Sequence, residues 1–438
     1  MKESNTFQTI LLFVFGFFII IAVLGFAGIL PGFGGKNETV FLGNVTIWGT
    51  LPERTVTGLI ADVYAGEESV KITYQQKPAE TFDRDLVEAL ASAVGPDVIL
   101  LPQDLIVRHR DKVSPIPYET VSERGFKDRF VEQAELYLSN NGILALPLTL
   151  DPIVMYWNRD LFSAAGISSI PKTWDEYRLI VPRLTKKDRT GADIIQSALP
   201  FGEFRNVLHA KDIVSLLILQ AGNPITTKLP EQDEKVVSVL KESFNLSIPP
   251  TEAALRFFTE FSNPVKESYT WNRSLPSSQD AFTAGISAVY VGYASEREEL
   301  ERKNPHLNFD VAQIPQPSGS SRAVTFGNME ALAILKSTRN FTASFRAVSL
   351  LSNTEFVDEL SKELGLPPAR RDLLGGTPSD AFAEVFYDAA LISRGWLDPA
   401  PERTEGVFQN MVEVIVSGRS KISDAVSAAS VELDRLLR

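Results

Sequence analysis

Residues 143–162 read Ile-Leu-Ala-Leu-Pro-Leu-Thr-Leu-Asp-Pro-Ile-Val-Met-Tyr-Trp-Asn-Arg-Asp-Leu-Phe, two apolar runs that meet around Pro147 and Pro152 with the carboxylate of Asp151 at the join. Apolar runs of this length, bounded by turn residues, are typical of strands buried on both faces. Proline has no backbone N–H, so the two prolines predict an interrupted strand rather than one continuous central strand. The pattern predicts a chain that passes between two lobes and leaves Asp151 in the gap.

The composition limits the classes of protein to consider. The chain has 438 residues, 44% hydrophobic and 22% charged, which is typical of a globular protein of two or three domains. Its formal net charge of −12 argues against a nucleic-acid partner, because phosphate binding needs a basic face. There is no cysteine, and His109, His209 and His306 lack the spacing of a helical zinc site. We therefore expect no metal and no other cofactor.

The amino-terminal region contains a long apolar segment. Residues 10–30 carry no charged or strongly polar side chain, and at about 1.5 Å per residue a helix of this length reaches roughly 32 Å, enough to cross a bilayer core. The alternative is a cleaved signal peptide, with Gly25 and Ala27 before the cut, but its apolar region is normally about 7–15 residues. We predict an uncleaved single-pass anchor in the cell membrane, after a cytoplasmic tip at 1–9 and before a glycine-rich linker at 31–43, with the remaining chain on the extracytoplasmic side.

The segment after the linker alternates strands and helices. Strands are predicted at 44–50, 70–75 and 97–102, with helices at 53–66 and 81–94. This order predicts a parallel α/β sheet whose ligands lie beyond the carboxyl ends of the strands, where Trp48 and Asp104 are found. Further along, Thr173 and Glu176 form a capping-box pattern before a helix. A second strand broken by prolines, residues 309–317, predicts the return crossover between the lobes.

The order of these elements and several motifs resemble one family, the extracellular solute-binding proteins of ABC importers of the maltose/oligosaccharide-binding type (family 1). The resemblance covers residues 44–438. Its most specific stretch, residues 142–176, contains Leu-Pro-Leu-Thr-Leu-Asp, Met-Tyr-Trp-Asn-Arg-Asp-Leu-Phe, Ala-Gly-Ile and Pro-Lys-Thr-Trp-Asp-Glu in that order. Weaker collinear matches lie at 281–290, 326–334 and 364–372.

This resemblance implies an α/β fold of the periplasmic-binding-protein type, with two discontinuous lobes joined by strand crossovers that close like a hinge on a ligand. Lobe 1 is expected to contain 44–148 and 316–365, and lobe 2 to contain 149–315 and 366–438. The implied partners are a small polar solute, with a sugar or oligosaccharide as the leading candidate, and the subunits of an ABC permease. The implied function is capture for transport, not catalysis.

Three candidate ligand-binding residues lie in the first half of the chain. Trp48 matches an aromatic residue that follows the first strand of many relatives, and its alternative is a core Trp packed on the next helix. Asp104 aligns with a sugar-contacting acid, although Leu101 and Pro102 stand where those relatives have a stacking Trp, and a capping role stays open. Asp151 matches a cleft acid at the hinge and needs a partner or a ligand to offset its desolvation.

Three further candidates follow from the same resemblance. Tyr293 comes after Gly292, where relatives often place Gly-x-Trp in the cleft. Asn328 lies in a loop beside glycine and could donate its amide to a ligand or shape a turn. Trp396 lies where the carboxyl-terminal segment of relatives borders the cleft, and its alternative is a loop Trp that covers the core. Aromatic faces and amide or acid groups are what sugar recognition requires.

Two other functions remain open from the sequence. An extracytoplasmic enzyme is disfavoured because the chain has no Gly-x-Ser-x-Gly elbow, metal cluster or Cys nucleophile, but Asp104 and Asp151 could act as a glycosidase pair if their carboxyl groups lie about 5–10 Å apart. A sensor could use the same fold to bind a receptor, although the short segment before residue 10 leaves no room for a cytoplasmic output domain.

Overall fold

The computed structural model of the chain describes residues 40–191, 193–229, 234–378 and 380–438. The tip at 1–9, the predicted anchor at 10–30 and the linker up to residue 39 lie outside these ranges. Among the described helices, none combines the length and the apolar character that a bilayer crossing requires.

The strands alternate with helices along most of the described chain. The strands are β1 (Gly43–Gly49), β2 (Val70–Gln76), β3 (Val98–Pro102), β4 (Leu138–Ser139), β5 (Gly142–Ile143), β6 (Leu146–Asn158), β7 (Lys186–Lys187), β8 (Ile194–Gln196), β9 (Thr226–Leu229), β10 (Lys235–Ser238), β11 (Val289–Tyr293), β12 (Phe309–Ala312), β13 (Thr325–Ile334) and β14 (Ser393–Arg394). The α-helices are α1 (Glu53–Val63), α2 (Phe82–Ala91), α3 (Ile106–His109), α4 (Glu123–Arg129), α5 (Arg159–Ala164), α6 (Trp174–Leu184), α7 (Ala210–Gln220), α8 (Pro250–Glu260), α9 (Ser278–Thr283), α10 (Arg297–Lys303), α11 (Phe341–Leu351), α12 (Thr354–Leu364), α13 (Arg371–Leu374), α14 (Ala381–Leu391), α15 (Pro401–Val416) and α16 (Ile422–Leu436). Short 3₁₀ turns cover Gln103–Leu105, Glu132–Tyr137 and Ala294–Glu296.

One mixed sheet connects the two lobes. Its strand order is β11-β6-β13-β3-β1-β2, with β12 also paired to β6 and β14 to β13. β1 is parallel to β2 and β3, so the parallel sheet predicted for the start of the chain is confirmed. β13 is antiparallel to both β3 and β6. The carboxyl ends of β1 and β3 therefore point to the edge where ligands of such sheets bind.

β6 is a single strand, Leu146–Asn158, so the predicted interruption at the prolines was wrong. Pro147 lies opposite Ala331, beside a register shift in β13. Pro152 lies opposite Gly327, at the end of the β13 ladder and just before pairing with β11 begins. The strand tolerates the missing N–H groups because each proline lies at an irregularity or an end of a ladder.

The two halves of β6 belong to different hydrophobic cores. Leu148 and Leu150 pack in the first core, which contains β1, β2, β3, α11 and α12. Ile153 and Met155 pack in the second core, with α6, α7, α8, α15 and α16. The chain therefore leaves the first lobe at Leu150–Ile153, and Asp151 lies in this passage, as the sequence predicted.

The return passage lies in β13. Phe326 packs in the second core and Met329 in the first, so the chain changes lobe between them. The prediction of a return crossover at residues 309–317 was wrong, because β12 pairs with the part of β6 that is already in the second lobe and Ile314 packs in the second core. A strand followed by prolines can have the same local sequence pattern whether it crosses between lobes or stays within one lobe.

The predicted capping box at the start of α6 is confirmed. The Thr173 hydroxyl accepts a hydrogen bond from the Glu176 N–H at 3.3 Å, and the Glu176 carboxylate accepts one from the Thr173 N–H at 3.1 Å. These reciprocal bonds satisfy two of the donors that a helix start leaves unpaired.

At Gly327, the backbone of the return passage lies very close to Asp151 of β6 and to Ser393. A Cβ atom at this position would lie 2.4 Å from Ser393 Oγ and 3.1 Å from the Asp151 carbonyl oxygen. The Gly327 carbonyl also accepts hydrogen bonds of 2.6 Å from the side-chain amides of Gln103 and Gln133. The packing leaves no space for a side chain where β13 passes β6.

We expect Gly327→Ala to lower the free energy of unfolding by about 1–3 kcal/mol, because the added methyl group overpacks the crossover. The matched control is Gly58→Ala in the exposed middle of α1, where nothing lies within 4 Å of an added Cβ. This control should raise stability by about 0.5–1 kcal/mol through helix propensity. Urea unfolding of both variants measures the difference, and equal stability of Gly327→Ala and wild type would contradict the packing argument.

Candidate functional site

A cavity of about 410 Å³ lies where the carboxyl end of β3 meets β13 and the start of α15. Its walls include Thr50 and Asp104, just after the ends of β1 and β3, and Asn328 and Glu330 of β13. Arg403 contributes from α15. Because Phe408 of α15 packs in the second core, this wall belongs to the other lobe. The cavity therefore lies between the two lobes.

Asp104 lies in the 3₁₀ turn directly after β3 and faces the second lobe. Burial is the main cause that raises the pKa of its carboxyl group to about 6; Lys211 opposes this rise, and Asp398 and Asp212 add to it. Neither this turn nor α3, as the structure describes them, has a side-chain cap. The capping role considered for Asp104 is therefore not observed.

Glu330 is a cavity residue that the sequence analysis missed. It projects from β13, and its Oε2 atom is buried without a hydrogen-bond partner among the described residues. Burial, with the nearby charge of Asp104, raises the pKa of Glu330 to about 8. The signal available in the sequence was the one used for Asp151, an acid inside an otherwise apolar strand, here in Met-Glu-Ala-Leu-Ala-Ile.

Asp151 and Asn328 lie opposite each other where β6 and β13 cross between the lobes. Asp151 Oδ1 accepts a hydrogen bond of 3.0 Å from the Ser295 N–H. Burial raises the pKa of Asp151 to about 6; the hydrogen bonds with Ser295 oppose the rise and Glu296 adds to it. Asn328 is exposed, lines the cavity and lies within β13, so it does not shape a turn.

Tyr293 lies next to this crossover in a polar group of the second lobe. Its hydroxyl donates a hydrogen bond of 2.9 Å to Asp212 and also interacts with the Asn328 side chain. Its ring contacts the edge of His209, with 4.8 Å between the ring centroids. His209 itself has φ of 58°, a left-handed conformation that side chains adopt rarely and that persists only when the surroundings hold it.

His209 and Glu296 form the ionic part of this group. His209 Nε2 lies 3.1 Å from Glu296 Oε1. Burial disfavours the charged imidazolium, but the carboxylates of Glu296, Asp212 and Asp151 outweigh it and raise the pKa of His209. The sequence carried no pattern that could have identified His209 or Asp212, since neither lies in a matched motif.

Lys211 joins the start of α7 to the start of α15. Its ammonium group is buried 3.0 Å from Asp398 Oδ2, and the Thr404 hydroxyl lies 2.8 and 2.9 Å from the two oxygens of the same carboxylate. Burial disfavours the Lys211 charge, but Asp398, Asp212 and Asp104 raise its pKa. Lys211 thus remains a cation at the boundary between the cavity and the second lobe.

The two tryptophans are not among the residues that line the cavity. Trp48 is half-buried against the first core, with Lys77 Nζ 3.9 Å from its ring centroid. Trp396 is buried in the second core and stacks on Phe408, with 5.9 Å between the ring centroids. Asp104 and Asn328 therefore line the cavity, Asp151 and Tyr293 adjoin it through Asn328, and Trp48 and Trp396 lie outside its lining, Trp396 lining a second cavity with Thr226 and Lys228.

We expect Glu330→Gln to stabilise the protein at pH 8 by on the order of 2 kcal/mol and to have little effect near pH 4.5. The folded chain holds the Glu330 proton up to about pH 8, whereas the unfolded chain releases it near the ordinary pKa of 4.5. Stability therefore falls as the pH rises between these values, and glutamine removes this loss. Urea unfolding at both pH values tests this, with exposed Glu363→Gln as control; an equal effect of Glu330→Gln at both pH values would contradict it.

The comparisons with known proteins agree with this architecture. A diacetylchitobiose binding protein (DasA) of Streptomyces coelicolor is 24% identical over 239 residues, which cover 54% of this chain and 52% of that protein. The crystal structure of a cyclic α-maltosyl-1,6-maltose binding protein from Arthrobacter globiformis superposes with a TM-score of 0.72 at 16% identity, covering 90% of this chain and 98% of the other. The sugar-binding protein MalE from Xanthomonas citri gives a TM-score of 0.70 at 20% identity, covering 90% and 97%.

The family assignment rests on a match that is independent of these structures. The model of the family described as bacterial extracellular solute-binding protein matches residues 60–383, which is most of the chain and includes the crossover strands β6 and β13. The solved structures establish the two-lobed α/β fold, as the sequence resemblance implied. The chain belongs to the family of bacterial extracellular solute-binding proteins.

Proposed function

We propose that the protein captures a sugar or oligosaccharide in the interlobe cavity and delivers it to an ABC importer. The observation that carries the proposal is a cavity with walls from both lobes and convergent polar groups, Asp104, Asn328 and Glu330. Concave sites with a few placed polar groups are typical of small-molecule binding. The solved relatives named above are described as binding sugars, which supports the solute class.

Hinge closure is the proposed mechanism of capture. β6 and β13 cross side by side, with Asn328 opposite Asp151, so a twist of this pair changes the angle between the lobes. Closure would bring α15 and Lys211 towards Asp104 and exclude water from the solute. Motions of this kind are the common way in which two-lobed binding proteins respond to ligands.

The proposed location is the outer face of the cell membrane, with residues 10–30 as a single-pass anchor and 31–43 as the linker. The apolar character and the length of residues 10–30 support this arrangement. A tether would keep the captured solute close to its permease and raise the effective concentration of the complex there.

The solute class is tested by a ligand screen on residues 36–438. We expect a sugar at about 100 times its Kd to stabilise the fold by about 2.7 kcal/mol, because binding to the folded state shifts the unfolding equilibrium. Thermal unfolding detects the ligand, and solution scattering should then show a smaller radius of gyration as the lobes close. A broad library of sugars and polyols without any thermal shift would contradict the proposal.

Asp104→Ala tests the cavity itself. We expect at least a tenfold loss of affinity with an unchanged or higher melting temperature, since the variant removes a half-buried acid whose pKa is raised to about 6. The matched control is Asp97→Ala, because Asp97 accepts hydrogen bonds from the Thr46 N–H at 2.9 Å and the Thr338 hydroxyl at 2.7 Å, away from the cavity.

This control should lower the free energy of unfolding by about 1–3 kcal/mol and leave the affinity nearly unchanged. The two variants should therefore show opposite patterns in calorimetry and thermal unfolding. Unchanged affinity in Asp104→Ala, or a loss of stability as large as that of Asp97→Ala, would show that Asp104 is a structural residue.

A further inference from the structure

The charges around the cavity are unbalanced. Its lining side chains include the carboxyl groups of Glu80, Asp83, Asp104, Glu330 and Glu402 but the cationic groups of only Arg108 and Arg403. Arg108 is already engaged, because its Nε atom lies 2.6 Å from Asp83 Oδ1. The lining seen by a bound solute is therefore predominantly acidic.

The neighbouring wall of the second lobe does not restore the balance. It adds Asp212 and Asp151, while its two basic groups are occupied: Lys211 Nζ lies 3.0 Å from Asp398 and His209 Nε2 lies 3.1 Å from Glu296. In the described part of the chain, none of Asp104, Glu330, Asp151 and Asp212 forms an ion pair. Four acids thus meet around the cleft without an ion-pair partner in that part of the chain, although Lys211 acts on Asp104 and Asp212, and His209 acts on Asp151.

Within the described ranges, one of these acids also has an oxygen without the hydrogen bonds that partly satisfy Asp212 and Asp151. Asp212 accepts a hydrogen bond from the Tyr293 hydroxyl and Asp151 accepts one from the Ser295 N–H. Glu330 Oε2 is buried and has no partner among the described residues, although its side chain lines the cavity next to Asp104. A buried polar atom without a partner costs free energy, so this position favours a ligand that carries a donor.

The pKa values are consistent with this geometry. Burial raises the pKa of Asp104 and Asp151 to about 6 and that of Glu330 to about 8, and it also raises the pKa of Asp212. A carboxyl group whose pKa is raised by burial either keeps its proton or ionises next to a cation. No three acidic or histidine side chains of the described residues are grouped so that they could hold a metal ion.

We propose that the solute carries a protonated amine on a polyhydroxylated body, as an amino sugar does, and that its ammonium group binds between Asp104 and Glu330. The inference rests on the proposed function and specifies, in addition, that the captured solute is positively charged. An ammonium group brings three donors and a positive charge to these two cavity acids, which form no ion pair with any described residue and of which Glu330 has an oxygen without a hydrogen-bond partner there. The hydroxyl groups of the solute remain for Asn328 and the rest of the wall. Acetylation of the amine removes the charge and leaves one amide donor.

The test compares sugars that differ only at the nitrogen position. Calorimetry on the full chain in a mild detergent at pH 7 measures chitobiose, which carries free amines, against cellobiose and N,N′-diacetylchitobiose, together with glucosamine, galactosamine and mannosamine against their parent hexoses and N-acetyl forms. We expect at least one free amine to bind tenfold or more tightly than its hydroxyl and acetamido counterparts.

The other outcomes are distinguishable. If the neutral or acetylated sugars bind as tightly as the amines, the inference is overturned and the proposed function stands, with protonated Glu330 acting as a donor to neutral sugars. If no sugar of either kind binds, the inference is overturned, and the proposed function is decided by the broad library of sugars and polyols.

Variants locate the amine preference in the protein. Asp104→Asn combined with Glu330→Gln should reduce the ratio of amine to hydroxyl affinity to near one, because both cavity acids become neutral amides of similar shape. Glu298→Gln, at an exposed position on α10, should retain the full ratio. A ratio that persists in the double variant would contradict the placement of the ammonium group.

Discussion

The pairing of β6 with β13 is the constraint on which the other features depend. Both strands leave one hydrophobic core and enter the other, and they do so side by side, with Asp151 opposite Asn328 and Pro152 opposite Gly327. The two lobes have separate cores, and this short ladder with its supporting hydrogen bonds joins them. The close contact at Gly327 and the amides of Gln103 and Gln133 hold the ladder together at that point.

The same crossover concentrates polar side chains between the lobes. A residue on a strand that has left one core and has not yet entered the next faces the gap, which is where Asp151 and Asn328 lie; Glu330 follows on the part of β13 that has entered the first core. The turn after β3 adds Asp104, and the starts of α7 and α15 add Lys211 and Asp398 from the other side. The pKa values of Asp104, Asp151 and Glu330 are raised, and a protein selected for stability alone would place apolar residues there. Groups with perturbed pKa values in a cleft are typical of functional sites.

Much of the fold could be predicted from local sequence. The strands and helices at the start of the chain, the parallel pairing of β1 with β2 and β3, and the capping box of α6 follow from hydrophobic spacing and cap residues. The sequence also predicted the positions of Asp104 and Asp151 in or beside the cleft. Asp104 follows the end of a strand, and Asp151 lies between two apolar runs. The predictions of an interruption in β6 and of a return crossover at residues 309–317 were wrong. A proline in the sequence shows where a backbone N–H is missing, but it does not show whether a neighbouring strand needs that donor.

The sequence by itself determined the α/β class, the two-lobed family and the position of the outward passage, because each depends on patterns within short segments. Only the tertiary structure decided which proline-containing strand returns to the first lobe, that Trp48 and Trp396 pack against the cores, and that Glu330, His209, Lys211 and Asp212 belong to the cleft. These residues come from segments far apart in the chain and meet through the order of strands in the sheet. Their charges and pKa values depend on partners that no local pattern specifies.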